Sequence, residues 1–178
     1  MSLIVNDVSA FKPRDRVIRR RLPLWETEPP KHDVLMGLYR YWESLRPTGL
    51  IPARKDFDVL RLRSVMGTTC VIEVAGREPP DFLVRLYGSR LTLPNNMSNR
   101  TLGDMQCSDR YREMLVEDYG AAHDIGVPLY HEITAMIDYV THSYARLILP
   151  FAADGRCVDQ LIVSSVSQDF PDLIKLLH

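Results

Sequence analysis

An α+β fold is predicted for this chain: a five-stranded antiparallel sheet with helices over one face, preceded by an N-terminal helix and arm. Three observations carry the prediction. Two apolar runs flank Ala153-Asp154-Gly155-Arg156, and Asp-Gly between apolar runs signals a hairpin, because Gly supplies positive φ without steric cost. Two β-branched or alternating runs, Thr68 to Val74 and Asp81 to Tyr87, precede a long helical pattern, and a third strand run follows it. Two strands, then helices, then three antiparallel strands is an α+β order.

The C-terminal hairpin is the strongest element. Leu147, Leu149 and Phe151 share one face of its first strand, Val140 to Phe151. Val158, Ile162 and Val166 share one face of the second strand, and Leu161 and Val163 take the other. A strand apolar on both faces is central in its sheet and covered on both sides. The turn at Asp154-Gly155 reads as a tight primed turn.

The earlier elements follow in order. Residues 1–31 read as an arm over the domain surface, pinned by Trp25, Leu22 and Leu24. The arm holds seven Lys/Arg against four acids, although the whole chain of 178 residues carries only −1. Asp33 to Arg46 is a helix capped by Asp33, ended by Pro47 and Gly49, with Val34, Leu35, Leu38, Tyr41, Trp42 and Leu45 in a broad apolar stripe. That stripe serves either the sheet or a dimer interface through Leu38, Tyr41 and Trp42. Asp58 caps a short helix over Val59–Met66, with Leu62 and Met66 facing in and Gly67 as the stop. In the strand Asp81 to Tyr87, alternation places Phe82, Val84 and Leu86 on one face and Leu83, Arg85 and Tyr87 on the other. Gly88-Ser89 breaks the strand. Residues 89–107 are irregular, either functional or built of short turns. Ser108 or Asp109 caps a helix from about Arg110 to Asp124, with Tyr111, Met114, Leu115, Tyr119 and Ala122 along its stripe and Gly126 at its end. Pro128 to Ile137 is the next strand, and Asp138 lies in the turn after it. Residues 168–178 form a short tail, which leaves 32–167 as the domain.

Composition excludes several classes. Hydrophobic content of 46% and charged content of 25% are ordinary for a globular chain. No apolar run reaches membrane-spanning length, and the first residues lack a signal-peptide core. Cys70, Cys107 and Cys157 are odd in number and far apart, which reads as a reduced, cytoplasmic chain with small buried thiols.

Four blocks of residues resemble a bacterial, alphaproteobacterial-type family of PAS-like domain proteins. The first is Tyr41-Trp42-x-x-Leu45-Arg46 followed by Ile51-Pro52-Ala53-Arg54-x-Asp56-Phe57-Asp58. The second is Asp81-Phe82-x-Val84-Arg85-Leu86-x-Gly88-Ser89. The third is Thr101-Leu102-Gly103, where the family tends to have Thr-Gly. The fourth is Leu149-Pro150-Phe151-x-x-Asp154-Gly155-Arg156-x-Val158-Asp159. Val59 and Gly67 stand where the family usually has prolines, and Ser89 replaces a usual Thr. The basic arm lies outside the match.

The resemblance implies a PAS-like fold, a sensory or protein-interaction role in signal transduction, and a small-molecule pocket between the sheet and the long helix. It implies no particular ligand. In such a pocket the candidate polar groups are Tyr87, Arg90, Tyr119, His142 and Tyr144, with Met114 and Leu115 lining it; a filled, ligand-free core is the alternative. Haem-binding PAS domains use a His on the long helix, and His123 lies too late on it for an axial ligand. Flavin photosensors carry a reactive Cys in Asn-Cys-Arg, which Asn95 to Arg100 lacks. The residues thus speak against haem and flavin. No metal-ligand spacing occurs, His131 and Glu132 point to opposite strand faces, and no glycine-rich phosphate loop is present.

Two functional readings follow. In the first, the chain is a non-catalytic sensory module that acts through a signalling partner or as a homodimer, since no effector domain fits beside it. In the second, it is an enzyme or carrier on a closed α+β cone or barrel, with His142, Tyr144 and Arg85 as pocket groups. The sheet discriminates: an open five-stranded sheet supports the first, a closed one the second. The arm's arginines raise a nucleic-acid reading, but no helix-turn-helix, zinc or RNA-binding motif supports it.

Overall fold

The computed structural model describes residues 2–5, 16–22, 32–46, 50–91, 96–137 and 139–176. Trp25, Leu24, Pro47, Gly49, Asn95 and Asp138, singled out above, lie outside them.

One antiparallel sheet organises the molecule. Its strands are β1 (Ser2–Val5), β2 (Arg16–Leu22), β3 (Thr69–Glu73), β4 (Leu83–Tyr87), β5 (Arg100–Thr101), β6 (Leu129–Ile137), β7 (Val140–Phe151) and β8 (Gln160–Ser167). They lie in the order β1-β2-β6-β7-β8-β3-β4-β5, with β1 and β5 at the two edges. The five expected strands are β3, β4, β6, β7 and β8. The expectation of five is corrected by β1, β2 and the two-residue β5. β2 pairs along its length with β6, from Arg16 opposite Met136 to Leu22 opposite Tyr130, so part of the expected arm extends the sheet. A run of three arginines conceals a strand because each faces a carboxylate. Arg19 reaches Asp118 and Glu117, Arg21 reaches Asp118, and Arg20 reaches Glu132 and Asp172.

Helices cover both faces, not one. Helix α2 (Asp109–Ile125) packs on one face, over Cys70, Ile72, Val84, Ile148 and Val163. Helix α1 (Asp33–Ser44) and the short α3 (Pro171–Ile174) pack on the other, over Leu147, Leu149, Phe151 and Ile162. The two-faced apolar character of β8 is thereby explained: Leu161 and Val163 meet the α2 side, Ile162 the α1 side.

The stripe of α1 is spent within the chain. Leu38 and Trp42 are buried, and Trp42 Nε1 donates to the carbonyl of Pro150 at 2.7 Å. Tyr41 is half-buried, stacks 5.2 Å from Phe57, and its hydroxyl accepts from the Asp58 amide. The dimer contact expected of Leu38 and Trp42 is therefore corrected: the stripe is wide because it covers both the sheet and the Phe57 loop. Asp33 begins α1, with His32 at the cap position and no side-chain cap.

Three local departures matter. Asp58 caps as expected, accepting from Leu60 N, but the helix is a 3-10 turn over Val59–Leu62 that buries Leu62 and leaves Met66 exposed. The pairing of β3 with β4 shifts between Val71 and Ile72: Ile72 faces Val84, while Val71 faces Leu86. This bulge inserts Arg85 and inverts the alternation beyond it, so Leu86 turns outward and Tyr87 joins the core side. Finally, β7 and β8 are joined by residues 152–159 rather than a tight primed turn. Gly155 does adopt φ +75°, and Asp154 Oδ1 accepts from the amides of Arg156 and Cys157. Cys157 in this loop is exposed and Cys107 half-buried, leaving Cys70 as the buried thiol.

Candidate functional site

Helix α2 is held over the sheet by defined ends. Ser108 Oγ accepts from Tyr111 N at 3.3 Å, and Gly126, at φ +68°, stops the helix. Between α2, β3, β4, β7 and β8 lies a cavity of about 310 Å³. Of the seven expected pocket residues, Tyr87, Arg90, Leu115, Tyr119, His142 and Tyr144 line it; Met114 is buried elsewhere beneath α2. The β4 bulge is what brings Tyr87 in. Arg85, a pocket group in the enzyme reading, is instead exposed and paired with Glu73 at 2.7 Å.

The walls divide by chemistry. Ile72, Val84, Leu102, Met105, Leu115 and Val163 form an apolar side, with Cys70 among them. Burial pushes the Cys70 thiol up to about 12, so it is an inert apolar neighbour. The polar side carries Tyr111, Tyr119, Tyr144 and Arg146. Tyr111 and Tyr144 share a hydroxyl hydrogen bond of 2.7 Å. Burial pushes the hydroxyls of Tyr87, Tyr111, Tyr119 and Tyr144 up, so all stay protonated and able to donate.

Arg146 was not anticipated, although it continues the alternation His142, Tyr144, Arg146 along β7. It is 1% exposed, and its guanidinium lies 5.5 Å above the Tyr119 ring. Nη2 donates to Asp118 Oδ2 and lies 3.3 Å from His131 Nδ1. Nε and Nη1 have no hydrogen-bond partner among the described residues. Burial opposes its charge, but Asp118 beside it prevails and holds the guanidinium above its ordinary range.

Asp118 is the hub, reached by Arg146 from β7 and by Arg19 and Arg21 from β2. Burial pushes its carboxyl up, yet the guanidiniums of Arg146, Arg19 and Arg21 around it outweigh that and hold it below the usual carboxylate range. His131 is pushed well below its ordinary value, first by burial and then by the arginines around it, and is neutral. Asp118 carried a legible signal: it falls four residues after Met114 and four before Ala122, inside the apolar stripe.

Among the described residues no cluster of His, Cys, Asp or Glu could hold a metal ion. His123 lies in the last turn of α2 beside Asp124 and outside the cavity lining. No helix among the described residues is long and apolar enough to cross a membrane.

A single open antiparallel sheet with a mixed-polarity cavity beneath one crossing helix defines the class, an open α+β domain rather than a closed barrel. The chain belongs to the PAS domain family, which matches residues 30–158. The match begins after β2 and ends before β8. A search of the curated proteins found no match. A search of the solved structures found none either.

Proposed function

We propose that this chain is a non-catalytic PAS-type sensory or regulatory module that binds a small molecule between its sheet and α2 and signals through a partner. The observation that carries the reading is the cavity of about 310 Å³, apolar on one side and lined on the other by protonated tyrosines and the buried Arg146. That size lies at the lower end of small-ligand sites, and convergent polar groups on an apolar ground are what orient a ligand. The open sheet favours this reading over the enzyme or carrier on a closed barrel, and Arg85 does not reach the cavity that the alternative would need.

Output through a signalling protein or a second copy belongs to the same proposal. Leu38 and Trp42 cannot supply that contact without leaving the core. Native mass spectrometry of protein purified from its source tests the reading, because it reports bound small molecules and oligomeric state together. A non-covalent adduct of small-molecule mass is expected. Bare protein that no small molecule stabilises against heat would refute it.

A further inference from the structure

We infer that the cavity takes a small amphipathic carboxylate, with its headgroup on Arg146 and its body against the apolar wall. This rests on the sensory reading above and names the class of ligand for that pocket.

The charge of the buried cluster argues first. Arg19, Arg21 and Arg146 converge on Asp118, and Glu117 adds a second carboxylate only at the surface, 3.2 Å from Arg19. Neutral His131 adds no charge. Guanidiniums therefore exceed carboxylates, and an under-compensated buried cation is costly. The surplus lies at the cavity wall, because Arg146 lines it and its Nε and Nη1 are buried there without a hydrogen-bond partner among the described residues.

The second argument is the set of neutral donors. The Tyr111 and Tyr144 hydroxyls share one hydrogen bond, so one proton of the pair remains for another acceptor. A carboxylate accepts several such donors at once; a neutral alkyl group would leave them dry and unpaired. A cation is disfavoured: Asp169, exposed at the mouth, is the only lining carboxylate among the described residues, and Arg90 lines the same cavity.

Shape completes the class. The cavity equals about ten waters' share of liquid volume. Its lining offers one buried cation and a set of apolar side chains, Ile72, Val84, Leu102 and Met105 among them, which suits one anionic head on a hydrocarbon or aromatic body. A multiply charged anion would find no second buried cation on the lining.

Isothermal titration of the full chain with octanoate, 1-octanol and octylamine tests this, with 3-phenylpropanoate as an aromatic probe. Charge-assisted hydrogen bonds predict a carboxylate bound roughly ten- to a hundredfold tighter than the alcohol of equal length. Arg146→Gln should abolish that preference. Should that variant fail to fold, Tyr144→Phe keeps the volume and should weaken the carboxylate more than the alcohol. Equal binding of octanoate and octanol, or tighter binding of the amine, would overturn the carboxylate class and leave the sensory pocket standing. No binding by any probe, with protein from its source carrying a different ligand, would also overturn the class alone. No binding and bare protein would overturn both.

Discussion

Asp118→Asn isolates the charge at the hub while keeping its shape. Asp118 is fully buried, and it is reached by Arg19 and Arg146, both nearly fully buried. Neither guanidinium has another fully buried carboxylate among its ion pairs, so little solvent screening discounts the pairing. Removing one partner of a buried ion pair costs about 3–5 kcal/mol, because the orphaned charge keeps its desolvation penalty. With an unfolding slope of about 2 kcal/mol per M of urea, the midpoint should fall by roughly 2 M. Urea titration followed by circular dichroism reads this directly. Asp118→Asn with Arg146→Gln should cost less than the two separate changes summed, by at least about 1 kcal/mol, since the two share one interaction. A midpoint shift below roughly 0.5 M for Asp118→Asn, or strict additivity in the double variant, would show that the buried cluster is not held by charge.

The remaining predictions concern other links. His131 is neutral in the fold and titrates well below its ordinary value of 6.5, so below that pH the unfolded chain binds the extra proton. Stability should therefore fall as pH drops beneath about 6.5, at up to about 1.4 kcal/mol per pH unit, and His131→Gln should flatten that limb of a denaturation profile. Gly88→Ala should destabilise by about 2 kcal/mol, since its Cβ would stand 2.4 Å from the Gly67 carbonyl oxygen and 2.9 Å from Thr69 N; an unchanged melting temperature would contradict this backbone approach. Leu38→Glu should unfold the chain rather than yield a folded monomer, because it buries a carboxylate against Leu147 and Phe151; sedimentation combined with circular dichroism separates the outcomes.

The strands of the PAS core were legible because period-two alternation and turn residues mark them without tertiary help. Helix α2 was legible from its cap, its stripe and Gly126, and its pocket neighbours followed once the fold was in view. Three things escaped for physical reasons. β2 hid because a run of arginines looks solvated until its carboxylates are known to stand opposite in space, about a hundred residues away in sequence for Arg19 and Asp118. The alternation of β4 was misread past Val84, with Leu86 grouped beside Val84 and Tyr87 opposite, because a bulge resets it and leaves no mark in the residue pattern. Arg146 was overlooked because a cation on a central strand reads as solvent-facing unless the carboxylate that neutralises it is also identified. Asp118 inside an apolar helical stripe and Arg146 inside an apolar strand were two halves of one signal, and neither half is interpretable alone.

β2 has a consequence for dissecting this protein into parts. A fragment trimmed to residues 30–158 would retain Asp118, Glu132 and Arg146 yet discard Arg19, Arg20 and Arg21. It would also discard β8, whose removal separates β3 from β7. Two carboxylates evolved for dry surroundings would then meet water, and the flank of β6 would become an unpaired ribbon open to edge-to-edge association. The smallest autonomous folding unit is thus expected to be wider than the homologous segment, with its outer limit drawn by charge pairing as much as by hydrophobic closure.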